Sequence, residues 1–319
     1  MKPTAATTAH APTAIRMEGL RKVYPHAQGG LVAVDGLDLT VHQGEFFGLL
    51  GTNGAGKSTT IGMLTTLVAP SAGKAWVAGY EVSAGPVGVK SRIGVVSQAN
   101  TLDRALTVAD NLAFRGRYFG MSAPAARRRA LELLERFGLA DKAGAKAHQL
   151  SGGQARRVMI GRALMHLPEV LFLDEPTAGV DPQARDDLWQ IIASLHETGQ
   201  TVVLTTHYLD EAEALCQRLA VIDHGHLLAC NTPGAIKASR GAQTVITVHY
   251  DADATPATEA LHSIPGGPHD VAVDGPTVRV STTHPDGLLG HLLRAGSAAG
   301  LTVRDATTTP PACRPPSSP

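Results

Sequence analysis

No run of 18 or more apolar residues occurs anywhere in this sequence. A helix needs about that length to cross a bilayer, so the chain is not expected to span a membrane, and any membrane role must come through a partner. Aromatic residues make up only 4% of the chain, too few for a base-stacking platform. Neither sign of charge dominates: 28 Lys+Arg face 28 Asp+Glu, for a formal net charge of +0. That balance lacks the basic footprint of a nucleic-acid binder. The three cysteines, Cys216, Cys230 and Cys313, are odd in number, far apart and without metal-type spacing, and are expected to be reduced thiols. Residues 1–14 are rich in Ala, Thr and Pro and hold no apolar run, so they read as a mobile arm rather than a signal peptide.

What is present is a chain long enough for one large domain and a small one, 43% hydrophobic, with a sizeable core to bury. Its organising stretch is GTNGAGKST at 51–59: Gly51, Thr52, Asn53, Gly54, Ala55, Gly56, Lys57, Ser58 and Thr59. The order Gly, four residues, Gly, Lys, Ser/Thr is that of a phosphate-binding loop. Phe46, Phe47, Leu49 and Leu50 before it read as a buried strand, and Ile61, Leu64 and Leu67 after it recur at helical spacing. Glycines let backbone N–H groups curl around an anion at a helix N-terminus. Lys57 can reach the β- and γ-phosphates, and Ser58 can ligate Mg²⁺.

From 15 to 78, short apolar runs alternate with Gly and Asp turns, as in an antiparallel sheet beside the loop. Residues 31–34 and 36–41 read as separate strands, and Tyr24 precedes a loop at 25–30. After the apolar run 93–96 comes Gln98, then helical patterns at 108–120 and 124–138 that suggest a helical insert, about 99–160. In this insert Leu131, Leu134 and Phe137 recur at helical spacing, and 127–129 make a basic, solvated face. The continuous apolar run 170–173 suits a central parallel strand and delivers Asp174 and Glu175 to its C-terminal edge. Asp181 caps a helix with Pro182 at its first position. A strand at 201–205 ends near His207, a helix follows at 208–216 and a strand at 219–222. The pattern shifts near 239–241. Strands at 244–250, 270–273, 277–281 and 301–304, with helices at 256–263 and 286–299, suggest a small βαββαβ unit over 239–306. A Pro-rich tail occupies 307–319.

Asp174 and Glu175 form a carboxylate pair where phosphate and metal would sit: Asp174 to hold Mg²⁺, Glu175 to polarise the attacking water. Leu150-Ser151-Gly152-Gly153-Gln154 is a second anion-type turn, with a hydroxyl and glycine N–H groups at a helix start. Two such loops in one chain can face each other across a two-fold dimer.

In these motifs the chain resembles the ATP-binding-cassette ATPases over about 15–237. Walker A lies at 51–59, the signature at 150–154, Walker B at 170–175, and Asp181 falls in a D-loop reading AGVD. Gln98 matches the Q-loop, His207 the switch histidine and Tyr24 the A-loop aromatic. The resemblance implies an α/β fold. It has a P-loop NTPase (RecA-like) core, an antiparallel β subdomain and a helical insert over 15–238, followed by a small α+β, ferredoxin-like domain. It implies that two copies sandwich two ATPs, with Ser151, Gly152, Gly153 and Gln154 of one copy completing the pocket of the other. Tyr24 would stack on adenine. Gln98 would sense the γ-phosphate, join Ser58 and Asp174 around Mg²⁺ and touch the transport partner. His207 would bond the γ-phosphate and order Glu175.

Leu102-Asp103, Arg117-Tyr118-Phe119-Gly120 and Thr206-His207-Tyr208-Leu209-Asp210-Glu211-Ala212 look most like single-cassette exporters of the daunorubicin-resistance type. Such chains tend to end in an acidic amphipathic segment; here Val303-Arg304-Asp305 runs into the Pro-rich ending instead. The resemblance thus implies an ATP-hydrolysing export subunit, peripheral on the cytoplasmic face of the cell membrane and paired with a separate permease. A drug or secondary metabolite is the expected cargo, lipid or polysaccharide the alternative. A DNA-repair or chromosome ATPase would need a long coiled coil, for which the interval from Lys57 to Asp174 leaves no room. A two-cassette translation factor would need a second Walker A. A purely regulatory cassette would not keep Lys57, Asp174, Glu175 and His207 intact.

Overall fold

The computed structural model describes residues 12–25, 30–197, 199–239, 244–255, 269–282 and 287–309. The chain divides into two compact units, Met1–Pro233 and Gly234–Pro319.

The first unit is built on a six-stranded sheet around β3 (Phe46–Leu50). Its order is β10 (His226–Asn231), β9 (Arg218–Asp223), β3, β8 (Thr201–Thr206), β7 (Val170–Asp174), β6 (Ile93–Val96). All neighbours are parallel except β10, which returns antiparallel along β9. Val170, Leu171, Phe172 and Leu173 are fully buried, as an unbroken apolar run requires when both faces of a sheet are covered. Each such side chain contributes roughly 1.5–3 kcal/mol of burial free energy. Parallel pairing sends the C-terminal ends of β3, β6, β7 and β8 to one edge, where ligands of open α/β sheets sit.

A second sheet has the order β2 (Leu31–His42), β1 (Thr13–Tyr24), β4 (Ala72–Val77), β5 (Tyr80–Glu81) and is antiparallel throughout. Ile15, Leu20 and Val34 from this sheet and Phe47, Phe172 and Ile222 from the central one share a single core. The segments 31–34 and 36–41, expected as two strands, form one continuous strand. Gly36, at φ 64°, takes up the local irregularity instead of ending it. β1 begins at Thr13, inside the expected arm, while 1–11 lie outside the described residues.

The insert carries α3 (Val108–Tyr118) and α4 (Ala123–Arg136), then α5 (Gly152–Ala163) leads back to the sheet. α4 buries Ala126, Ala130, Leu133 and Leu134, and Phe137 is buried just beyond it. Leu131, expected on that stripe, points outward at 42% exposure, because 131 falls about a third of a turn off the buried line. Arg127 of the basic face is ion-paired with Asp110 at 2.9 Å.

Within the second unit, β11 (Thr244–Tyr250), β12 (His269–Asp274), β13 (Thr277–Thr282) and β14 (Val303–Thr309) form an antiparallel sheet of order β12-β13-β11-β14. A βαββαβ unit gives that order. The Tyr250 hydroxyl donates to Leu292 O at 3.0 Å, fixing the last helix (Leu288–Ala298) on the sheet. The helix expected at 256–263 lies outside the described residues. β14 runs to Thr309, five residues past the expected end; of the Pro-rich segment, 310–319 lie outside the described residues.

Cys216 is buried, and desolvation drives its thiol pKa far upward; Glu211 and Glu45 add to the effect. Only the thiolate attacks alkylating reagents. Cys216 is therefore expected to stay unlabelled by iodoacetamide in the native protein and to react on unfolding; rapid native labelling located at Cys216 by peptide mapping would contradict its burial.

Candidate functional site

The loop after β3 enters α1 (Lys57–Leu64) through Gly54 at φ 85° and Gly56 at φ 105°. A side chain at Gly56 would also run into the Ala33 carbonyl, so the turn requires glycine twice over. Lys57 is 5% exposed and folds back over its own loop. Its Nζ donates to Gly51 O at 2.8 Å and Thr52 O at 3.1 Å and lies 3.3 Å from Glu175 Oε1. Thr52, Asn53 and Gly54 are exposed, Thr59 half-buried, and Ala55 buried beneath the loop.

β7 hands over Asp174 and Glu175. Ser58 Oγ donates to Asp174 Oδ1 at 3.2 Å, and Thr205 Oγ1 donates to the same oxygen at 2.5 Å. The pairing is set by register, since Asp174 lies opposite Thr205 in the parallel ladder. Asp174 and Ser58 offer hard oxygen donors side by side, which suits Mg²⁺, an ion that keeps several waters and needs few protein ligands. Among the described residues no cluster of three or more His, Cys, Asp or Glu could cage a metal.

Glu175 has φ 45°, a left-handed conformation unusual for a side chain of this size. Its N–H is held by Thr205, at 2.9 Å to Oγ1 and 3.2 Å to the carbonyl oxygen. Such a residue stores roughly 1–3 kcal/mol and persists only where neighbours over-determine it. His207 Nδ1 lies 3.5 Å from Glu175 Oε2. The His207 turn is braced by Tyr208 N–H donating to Thr206 Oγ1 at 3.0 Å. Lys57, Asp174, Glu175, Ser58 and His207 thus gather at one sheet edge.

The remaining expected residues lie around this centre. Gln98 is exposed just past β6. Tyr24 ends β1 half-buried, with Lys22 Nζ 5.0 Å from its ring centroid. Ser151 caps α5 through a reciprocal box: its Oγ accepts from Gln154 N–H at 3.3 Å, and its N–H donates to Gln154 Oε1 at 3.0 Å. The helix starts at Gly152, so the signature glycines form its first turn. Ser151 and Gly152 are exposed; a Cβ on Gly153 would come within 3.1 Å of Ala184 Cβ on α6 (Pro182–Glu197). Asp181 caps α6 by accepting from Ala184 N–H at 3.0 Å.

Two functional positions escape a sequence reading. Thr205 appears there only as a strand residue, although the ladder makes it the bridge between Asp174 and the Glu175 backbone. Arg156 follows the signature in a polar run, yet it is 6% exposed and donates to Ser97 O at 2.7 Å and Glu175 O at 3.4 Å. Burial lowers its pKa, opposed by the charges of Asp174 and Glu211.

A family model described as ABC transporter matches residues 34–178. The daunorubicin/doxorubicin resistance ATP-binding protein DrrA of Streptomyces peucetius is 46% identical over 250 residues, covering 78% of this chain and 74% of that protein. The chain belongs to the ABC transporter family. It is an ATPase of that family, with the P-loop core its motifs imply. The Nod factor export ATP-binding protein I of Paraburkholderia xenovorans (strain LB400) is 45% identical, over 74% of this chain and 76% of that one. Among solved structures, a dimeric post-hydrolysis state of the ATP-binding cassette MJ0796 bound to ADP and Pi superposes with TM-score 0.64 at 28% identity. The match covers 69% of this chain and 98% of that one.

Proposed function

We propose that this ABC ATPase works as a head-to-tail homodimer that closes on two MgATP and drives a separate permease, exporting a drug or secondary metabolite. The observation that carries the dimer is the exposed turn at Ser151 and Gly152, where the Ser151–Gln154 bonds are internal to the helix start, on a chain that also holds a full Walker A and B site. The dimeric state of the MJ0796 cassette supports a dimer. The cargo class follows the resistance relatives such as DrrA, with Nod factor export as the alternative.

In the closed dimer, Lys57 and the loop N–H groups would hold the β- and γ-phosphates. Tyr24 would stack on adenine, and Ser58, Gln98 and Asp174 would hold the metal. Mg²⁺ would supply charge neutralisation at the phosphate oxygens. Glu175 would accept a hydrogen bond from the attacking water and align it, with His207 bracing the carboxylate. Ser151, Gly152, Gly153 and Gln154 would close the pocket across the interface, beside Asp181.

No described helix is long and apolar enough to cross a membrane. Membrane association would come through the permease, at the cytoplasmic face. A groove of about 810 Å³ between the sheet and the insert offers a seat for it, with Leu67, Phe114 and Tyr118 at 74%, 66% and 73% exposure. Exposed apolar side chains gathered at one groove mark a protein contact.

The dimer is tested by light scattering on the Glu175→Gln protein. With MgATP it is expected to run as a dimer, and adding Ser151→Arg should return it to monomer. A Glu175→Gln protein that stays monomeric at saturating MgATP, with or without its permease, would overturn the proposal.

A further inference from the structure

Helix α5 does more than present the signature. It sends two guanidiniums back to the segment 97–101, which contains Gln98. Arg156 Nη1 donates to Ser97 O at 2.7 Å at one end. Arg162 Nη1 donates to Thr101 O at 2.6 Å at the other, and its Nη2 bonds Thr101 Oγ1 as well. Arg156 also donates through Nη2 to Glu175 O at 3.4 Å. The strained Glu175 residue is therefore held on both sides, by Thr205 at its N–H and by Arg156 at its carbonyl. A buried cation is costly unless its donors are matched and opposite charge is near. Arg156 meets both conditions, with two carbonyl acceptors and the carboxylates of Asp174 and Glu211. Lysine does not reproduce this fork, because its single ammonium lacks the two separate donor nitrogens that the planar guanidinium aims at the two carbonyls.

We propose that Arg156 is a positioning residue that makes the Q-loop, the Glu175 backbone and the signature helix move as one body, so that nucleotide in a subunit's own site sets the signature it offers to the opposite site. The inference rests on the head-to-tail dimer proposed above. There, Gln98 and Glu175 serve one ATP, while Ser151, five residues before Arg156, serves the other. Arg162 is the second anchor of the same clamp. A displacement of Gln98 toward or away from a phosphate is then carried through two short, charge-assisted bonds to the helix whose first turn is the signature.

The test is steady-state MgATP hydrolysis by the full-length protein carrying Arg156→Met, Arg156→Lys or Arg162→Met, with MgATP affinity and Tm measured on the same samples. For Arg156→Met, affinity is expected to stay within about two-fold of wild type, while kcat falls by about ten-fold or more. The Hill coefficient, expected above 1 in the wild type, should fall to about 1. Arg156→Lys should recover part of kcat and little of the cooperativity, and Arg162→Met should show a weaker form of the same change. Wild-type kcat and Hill coefficient in folded Arg156→Met would overturn the inference. So would a loss of kcat that only tracks a loss of folded protein and is fully restored by lysine. Should Arg156→Met not fold, Arg156→Lys decides alone, and wild-type cooperativity in it overturns the inference. The Glu175→Gln protein is run alongside. If it does not dimerise with MgATP, the dimer itself has failed; if it does and the Arg156 variants stay cooperative, only the clamp has failed.

Discussion

Glu175→Gln is expected to lower kcat by about 10²–10³-fold while leaving MgATP bound, a barrier increase of roughly 3–4 kcal/mol. Gln keeps the length and planarity of Glu, so its Oε1 can still accept from Lys57, now 3.3 Å from the carboxylate. The backbone should keep its conformation, because Thr205 holds the residue-175 N–H regardless of the side chain. What is lost is a carboxylate able to take a strong hydrogen bond from water and to interact with His207 Nδ1 at 3.5 Å. Removing the negative charge also weakens the internal hold on Lys57, leaving a neutral hydrogen bond in place of an ion pair, so nucleotide affinity is expected to hold or rise. Single-turnover hydrolysis with a parallel equilibrium-binding measurement separates the two effects. Turnover at the wild-type rate would take Glu175 out of the chemistry.

Lys57→Ala is expected to act on binding itself, raising the Kd for MgATP by about 10²-fold, or roughly 3 kcal/mol. The side chain is nearly buried among Gly51 O, Thr52 O and Glu175, so its position is set by the loop and not by solvent. Alanine deletes the cation that would meet the phosphates. It also leaves Glu175, whose side chain is 11% exposed, without its positive partner. Loss of a partner from a buried charge pair costs more than the pair is worth, and that cost falls on the folded protein, to be read as a lower Tm and not in the Kd. Fluorescent-nucleotide titration reads the change directly. An unaltered Kd would mean that the loop at 51–59 is not the phosphate site.

The contrast between these two residues shows what is local and what is not. The phosphate loop, the carboxylates after 170–173 and the capped signature turn could be named from the sequence, because each is a short segment whose chemistry depends on its own neighbours. Glycines at 54 and 56, an apolar run before Asp174 and Ser151 three residues before Gln154 carry their geometry with them. The alternating strands and helices likewise imposed a parallel sheet, since βα repeats bury their apolar faces in few other ways. Boundaries were less legible: β2 runs straight through Gly36, and Leu131 looks like a core residue until α4 is placed against its neighbours. Thr205 and Arg156 lay beyond any local reading. Thr205 matters through the ladder that sets it opposite Asp174, and Arg156 through carbonyls 59 and 19 residues away in the chain. Sequence alone determined which groups can bind and cleave a phosphoanhydride. Only the tertiary structure decided which side chains hold those groups in place, because that depends on distances between segments that no local pattern encodes.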